Sequence, residues 1–419
     1  MNAIGTVSIG SPASVRRLQA AEMLWRVALG GLAVMPLAMA VAHRSTPLFL
    51  GVSALSALGA TALEGRFRQL VRESASALFR PTGIAVLAFL ALSVISISWS
   101  QFNDISIQAL GEFWLPIAGA FILCQVLPKR MTRQAFWMLA GSVAAACLLI
   151  IVELETGLTL RRSLGMRADS FIFNRPSLTL LVLLPPLLVW LVTQIPRGWA
   201  VALAILVLVG AAVARSDSGA AGLGLIVMGL AFVSAWASVR ATAIVMAAGF
   251  VAAMAMAPFL GPISESLIPP AVHKALAGGH SRERVAVWQS FGAAVRVQPG
   301  LGAGFGMSPR MRKSKIVWKV PKEHRRFLGI GHPHNLPLQI WTELGMVGAV
   351  LALAIVLLVI RAICRQSRLV ASTSLALLAA AGAVALVGHG AWQGWWAASL
   401  GASVAWMLAT CRTRLETRP

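Results

Sequence analysis

Long apolar runs separated by short basic or turn-forming segments recur along the whole chain, each wide enough to cross ~30 Å of hydrocarbon as a helix. Twelve are read, at 24–42, 47–63, 83–100, 107–127, 135–152, 177–194, 200–214, 219–237, 241–258, 336–360, 373–388 and 391–411. The seventh is short at fifteen residues and is the one expected to be tilted, broken or miscounted. This pattern predicts an all-α polytopic membrane protein in three parts. Nine transmembrane helices occupy 1–258, a large outward loop 259–335, and three more helices 336–419.

Composition sharpens the picture. With 58% hydrophobic and only 12% charged residues, the chain has too little polar surface to coat a soluble domain. Arg16 and Arg17 ahead of the first run also fit the layout of a secretory signal, but the sidedness of later segments is the same either way. Cys124, Cys147, Cys364 and Cys411 fall in or beside the runs without the CxxC spacing of a zinc or redox site, and read as packing residues. No nucleotide-binding glycine loop, soluble catalytic domain or solenoid repeat is found.

Charge orients the runs. With the N-terminus inside, seventeen Lys and Arg fall in inward segments, while the short outward turns hold only Arg44 and Arg215. The positive-inside bias therefore puts both termini in the cytoplasm. Two outward segments break the bias. One, 153–176, carries Arg161, Arg162, Arg167 and Arg175; the other, 259–335, carries twelve Lys and Arg against Glu265, Glu283 and Glu323. A long loop escapes the charge rule, so its basic groups also read as plainly solvated. For the shorter segment that explanation is weak, and an anionic partner such as lipid or substrate phosphate fits better. Nucleic acid is a poor candidate despite a net charge of +22, because orientation explains more than half of the excess.

The large loop closes with Gly331-His332-Pro333-His334-Asn335 and runs into the tenth span, which places His334 at the membrane surface. An imidazole with an ordinary pKa of about 6.5 is suited to accept a proton there. A histidine beside a helix start is otherwise a capping or packing group, and both readings stand on spacing alone. Glu343 is a carboxylate inside a membrane span, where it needs a polar partner or a task. Gly345 and Gly348 are expected to share one close-packing helix face.

His334-Asn335, nine residues, Gly345, two residues and Gly348 resemble the signature of the O-antigen ligase family and its related polymerases. Upstream, Arg284-Val285-Ala286-Val287-Trp288 and Pro299-Gly300-Leu301-Gly302-Ala303-Gly304 are similar to the elements that open that family's large periplasmic loop. Asn174-Arg175-Pro176 resembles the Asn-rich start of the sixth span. Arg215-Ser216-Asp217-Ser218 resembles a short outward turn in which relatives place the arginine after the serine. Because that order is reversed here, the family's second arginine maps onto either Arg175 or Arg215.

The resemblance implies a glycosyltransferase of GT-C-like architecture in the bacterial inner membrane, with its active site facing the periplasm. It would move an O-antigen glycan from undecaprenyl diphosphate to lipid A-core, with inversion and without cofactor or metal. His334 would be the general base and Arg284, with Arg175 or Arg215, would hold the diphosphate. Asn335 and Glu343 would orient substrate, with Trp288, Gly345 and Gly348 as structural parts of the motif. The basic run 310–326 reads either as a solvated, mobile loop or as a contact for acceptor phosphates. A polymerase and a protein O-oligosaccharyltransferase share the same His and Arg chemistry. A lipid or polysaccharide transporter is the reading without chemistry, disfavoured by scarce mid-span charge and the lack of two related halves.

Overall fold

The computed structural model describes residues 12–269, 271, 274 and 281–416, and the regular elements among them are all helical. In chain order the α-helices are α1 (Pro12–Val41), α2 (Thr46–Leu63), α3 (Phe67–Leu78), α4 (Pro81–Ile95), α5 (Asn103–Val126), α6 (Arg133–Glu155), α7 (Thr159–Ser163) and α8 (Asn174–Gln194). They continue with α9 (Gly198–Arg215), α10 (Gly219–Ala237), α11 (Val239–Met256), α12 (Leu260–Leu267), α13 (Ser281–Val297), α14 (Leu336–Ile363), α15 (Arg368–Val387) and α16 (Gly394–Glu416).

Eleven helices among the described residues are long and apolar enough to cross a membrane, which makes this an all-α, multi-pass membrane protein. The twelfth expected run is α16. Its Trp, Ser, Thr and Gly residues make it less apolar than the others, and it packs against α2, α5 and α8. The short seventh run is an unbroken helix of 18 residues, because Gly198 and Arg215 at its ends belong to it. Polar caps set several starts: Thr132, Ser218, Ser238 and Asn335 each accept a hydrogen bond from the third residue on.

Helix α8 is the centre of the bundle, with 83% of its apolar stretch buried in the protein against 17% for α14. It therefore carries polar side chains that face neighbouring helices and not lipid. Thr179 and Ser399 share a hydrogen bond of 3.0 Å, and Ser403 donates to the Val182 carbonyl at 2.5 Å, fastening α16 to α8. At the far end, Arg130 clamps Glu64 through contacts of 2.5 and 2.6 Å beside the Trp25 indole.

The arginines of 153–176 divide by structure. Arg161 is buried and donates to Ala40 O at 2.7 Å and Val41 O at 2.9 Å, satisfying the last carbonyls of α1, which have no helical partner of their own. Arg167 pairs with Asp169 at 2.5 Å. Two of the four basic groups expected to meet an anion thus serve the fold.

The described residues of 281–335 form a folded cap. Helix α13 and the 3₁₀ turns Ser308–Lys313, Lys315–Lys319, Lys322–His324 and Arg326–Gly329 close over a core that includes Phe291, Val295, Met307, Met311, Val320 and Leu328. A mobile loop over 310–326 is not what forms, because Met311, Ile316, Val317 and Val320 are apolar and go inside while the Lys and Arg between them stay outside.

The cap is joined to α14 at a break in that helix. Gly345 has φ 61° and ψ −158°, a conformation open to glycine and strained for other residues, and it divides α14 in two. The expectation that Gly345 and Gly348 line one continuous helix face is therefore corrected. At the break, Ala303 N donates to Thr342 O at 2.9 Å, Gly304 N to Glu343 O at 2.8 Å and Met346 N to Pro299 O at 2.8 Å. The Pro-Gly-Leu-Gly-Ala-Gly segment is thus hydrogen-bonded into the opened helix. A Cβ on Gly345 would sit 2.3 Å from Gly300 O, and one on Gly302 2.4 Å from the Glu343 carbonyl carbon, so both glycines are needed for the approach.

Candidate active site

Asn335 starts α14 in an extended conformation. Its Oδ1 accepts from Leu338 N at 2.9 Å, and its Nδ2 donates to Leu386 O at 3.1 Å. His334, one residue earlier, has φ 51°, and its Nδ1 lies 2.7 Å from Gly388 O. Arg284, on α13, donates from Nη1 to Val387 O. Three consecutive carbonyls at the C-terminal end of α15 therefore each receive one site side chain. The final carbonyls of a helix lack partners within it, and the negative end of its dipole favours a cation such as Arg284.

This anchoring fixes the protonation pattern of His334. A neutral imidazole has one N–H and one lone pair, and a carbonyl only accepts, so Nδ1 carries the proton and Nε2 presents the lone pair. Burial pulls the His334 pKa below 6.5, the Gly388 carbonyl opposes that pull, and the Arg284 charge adds to it. The ring is neutral at neutral pH and has a base in Nε2.

Arg284 and Trp288 lie one turn apart on α13, and they hold opposite sides of the same corner. Trp288 Nε1 donates to Pro333 O at 3.1 Å, fixing the His-Pro-His-Asn turn from behind. The His332 ring lies edge-on to His334 with centroids 4.2 Å apart, and burial holds its pKa down at about 3.

Glu343 is fully buried, and both of its oxygens accept hydrogen bonds. Oε1 takes Gln339 Nε2 at 3.0 Å and Ser308 N at 3.2 Å; Oε2 takes Trp392 Nε1 at 2.5 Å and Gly306 N. Gln339 in turn accepts from Ala391 N at 2.9 Å. The carboxylate thus ties the glycine-rich segment of the cap to the turn after α15. Its place is behind the site, holding the segments that carry it.

Arg175 stands at the start of α8 with its guanidinium 5.4 Å above the Trp395 ring. With Arg44, Glu112 and Gln393 it lines a cavity of about 910 Å³ whose remaining walls are apolar, formed mainly by Leu48, Ala54, Leu55 and Leu58 of α2 and Leu115 and Ile122 of α5. Arg215 does not line this cavity; it is exposed and paired with Glu155. The structure therefore gathers His334, Arg284, Asn335 and Trp288 at the end of α15, and separates Arg175 on the groove from Arg215 on an ion pair.

Sequence reasoning passed over His389, Arg44 and Glu112. A signal for the first was present, since Gly388-His389-Gly390 interrupts two apolar runs on the side assigned to His334. The α15 carbonyls left no signal, because backbone acceptors look alike in any sequence.

Among the membrane-crossing helices, the end of α15 thus gathers His334, Arg284 and Asn335, and the groove carries Arg44 and Arg175 in an otherwise mainly apolar wall. Residues 178–353, under half of the chain, match the family model of the O-antigen ligases, which supports membership of that superfamily and, broadly, a part in lipid-linked glycan transfer. No curated protein matches the chain. The matched segment takes in Arg284, His334, Glu343 and Gly348, while Arg175 and His389 lie outside it.

Proposed function

We propose that the protein transfers an O-antigen glycan from undecaprenyl diphosphate to a hydroxyl of lipid A-core at the periplasmic face of the inner membrane, with both termini cytoplasmic. The observation that carries this is the His334 Nε2 lone pair fixed with Arg284 at the end of α15, where the following turn packs His389 against Trp395, a wall residue of the apolar groove lined by Arg44 and Arg175. The groove suits a polyprenyl tail and its arginines the diphosphate. The charge count along the loops supports the orientation.

The acceptor hydroxyl oxygen attacks the anomeric carbon as the bond from that carbon to the diphosphate oxygen breaks. The hydroxyl proton passes to His334 Nε2, and the growing negative charge on the departing carrier diphosphate is held by Arg175 and Arg284. Direct attack inverts the anomeric centre. The guanidinium groups are assigned the charge-stabilising role because they match phosphate oxygens with paired hydrogen bonds and stay charged throughout. Asn335 holds the His334 turn, and Glu343 holds the segments behind it.

Ligase is preferred to polymerase and to protein O-oligosaccharyltransferase because the nine-residue spacing fits it. The exposed basic residues of the folded cap also suit an acceptor that bears phosphates.

The two arginines provide the test. In purified protein, Arg175→Ala is expected to lower kcat/KM for the carrier-linked donor about 10- to 100-fold, the value of losing charge-assisted hydrogen bonds. Arg215→Ala, which removes an exposed ion pair, is expected to stay within about twofold of wild type. Equal losses, or the larger loss at Arg215, would refute the groove as the donor site.

A further inference from the structure

His389 sits in the turn between α15 and α16, and the mechanism above does not use it. Its ring is caged edge-on by two buried indoles, Trp395 at 4.6 Å and Trp396 at 5.1 Å between centroids. Its Nδ1 lies 3.0 Å from Gly390 O, so Nδ1 carries the proton of the neutral ring and Nε2 presents its lone pair. That Nε2 is buried and has no hydrogen-bond partner among the described residues. A buried acceptor left unmatched is unfavourable and uncommon, and here the indole cage keeps it from turning toward solvent.

Arg175 stands over the Trp395 ring that also packs against His389, and Arg175 and His334 are both close enough to act on the His389 ring. Burial, opposed by the Gly390 carbonyl and aided by Arg175 and His334, holds its pKa down at about 4, so it is an acceptor of hydrogen bonds and a poor base. In the proposed reaction the diphosphate lies at Arg175 and the acceptor oxygen at His334. The group joining those points is the first sugar of the donor, whose anomeric carbon is bonded to one and attacked by the other.

We propose that His389 Nε2 accepts a hydrogen bond from a hydroxyl or amide N–H on the first sugar of the carrier-linked donor, making His389 a specificity-determining contact for the transferred glycan. The inference rests on the donor and acceptor positions proposed above. A pocket built to hydrogen-bond a substrate group discriminates strongly against an analogue that lacks it, because the buried partner is then left unpaired. His389 is already unpaired, so the sugar completes it.

The test uses the purified full-length protein with a polyprenyl-diphosphate-linked monosaccharide and a panel of analogues, each missing one hydroxyl or its amide. His389→Phe keeps a ring against the two indoles and removes the acceptor; His389→Gln restores an acceptor oxygen. His389→Phe is expected to lose about 10- to 100-fold in kcat/KM on the parent donor, with the acid limb of its pH profile unmoved. One analogue should cost wild type the same factor and cost His389→Phe nothing, and His389→Gln should recover part of the loss. If His389→Phe does not fold, discrimination by His389→Gln across the panel decides: relaxation at one position supports the contact, and a pattern like wild type overturns it. Wild-type efficiency in His389→Phe, or a displaced acid limb, also overturns it. Wild type that transfers from the parent while both variants discriminate as it does removes His389 alone; wild type that transfers from no polyprenyl-diphosphate donor removes the underlying function as well.

Discussion

Purified His334→Gln is expected to fold and to bind the carrier-linked donor with KM near wild type, while kcat falls about 10²- to 10⁴-fold, the usual worth of a positioned general base. Glutamine is the informative replacement. Its amide N–H is able to keep the bond to Gly388 O that Nδ1 makes, so the turn survives, but it has no proton-accepting nitrogen in place of Nε2. The pH dependence gives an independent reading. Burial and the Arg284 charge, against the push of the Gly388 carbonyl, leave the His334 pKa below 6.5. A base works when unprotonated, so wild-type transfer should hold steady as pH falls from 8 toward 6.5 and decline only below it. The residual activity of His334→Gln should lack that acid limb. A variant with wild-type kcat, or one that keeps the limb, contradicts the assignment of His334.

Glu343→Ala is expected to fail at an earlier stage, in folding and not in chemistry. Four donors from three segments converge on this carboxylate: Gln339 within α14, the amides of Gly306 and Ser308 in the cap, and Trp392 after α15. Removing both oxygens leaves these donors buried and unpaired, at about 1–3 kcal/mol each before relaxation. Even Glu343→Gln supplies one oxygen and turns an NH₂ group toward donors. A thermal melt of purified protein should show Glu343→Ala lowered by about 3 kcal/mol or more, with Glu343→Gln between it and wild type. A Glu343→Ala protein as stable as wild type but inactive would instead make the carboxylate a participant in substrate binding.

The spans were legible because lipid imposes one requirement, an apolar helix of sufficient length, and each run states it locally. Helix α9 was harder to delimit, since its flanking Gly198 and Arg215 carry no hydrophobic signal although both are helical. Helix α16 is the opposite case, an expected span whose polar and aromatic residues suit it to contacts with α5 and α8 more than to lipid. The fold of 310–326 was not legible because its apolar residues are scattered among Lys and Arg without helical or strand period; 3₁₀ turns bury them without leaving one.

At the site, the residues with a motif were legible and their joining was not. His334, Arg284, Trp288 and the glycines were all named from spacing, and the structure gives that spacing a physical content. The nine residues between Asn335 and Gly345 set the distance from the start of α14 to the break that receives Pro299–Gly304. The four-residue step from Arg284 to Trp288 places both on one face of α13. What gathers them, the last carbonyls of α15, is backbone and carries no residue identity. Arg175 and Arg215 were equivalent in sequence and are distinguished only by position, one on the groove and one in an ion pair.

The central claim is transfer from a polyprenyl diphosphate to lipid A-core by an arginine-held, histidine-activated inverting attack. It is tested most directly with purified protein in lipid nanodiscs, given undecaprenyl-diphosphate-linked glycan labelled in its first sugar, lipid A-core acceptor and excess EDTA. The account predicts label on lipid A-core, carrier diphosphate released in equal amount, and an anomeric configuration opposite to that of the donor. Label found on a second carrier-linked chain or on protein hydroxyls in place of lipid A-core, retained configuration, or activity abolished by the chelator would contradict it.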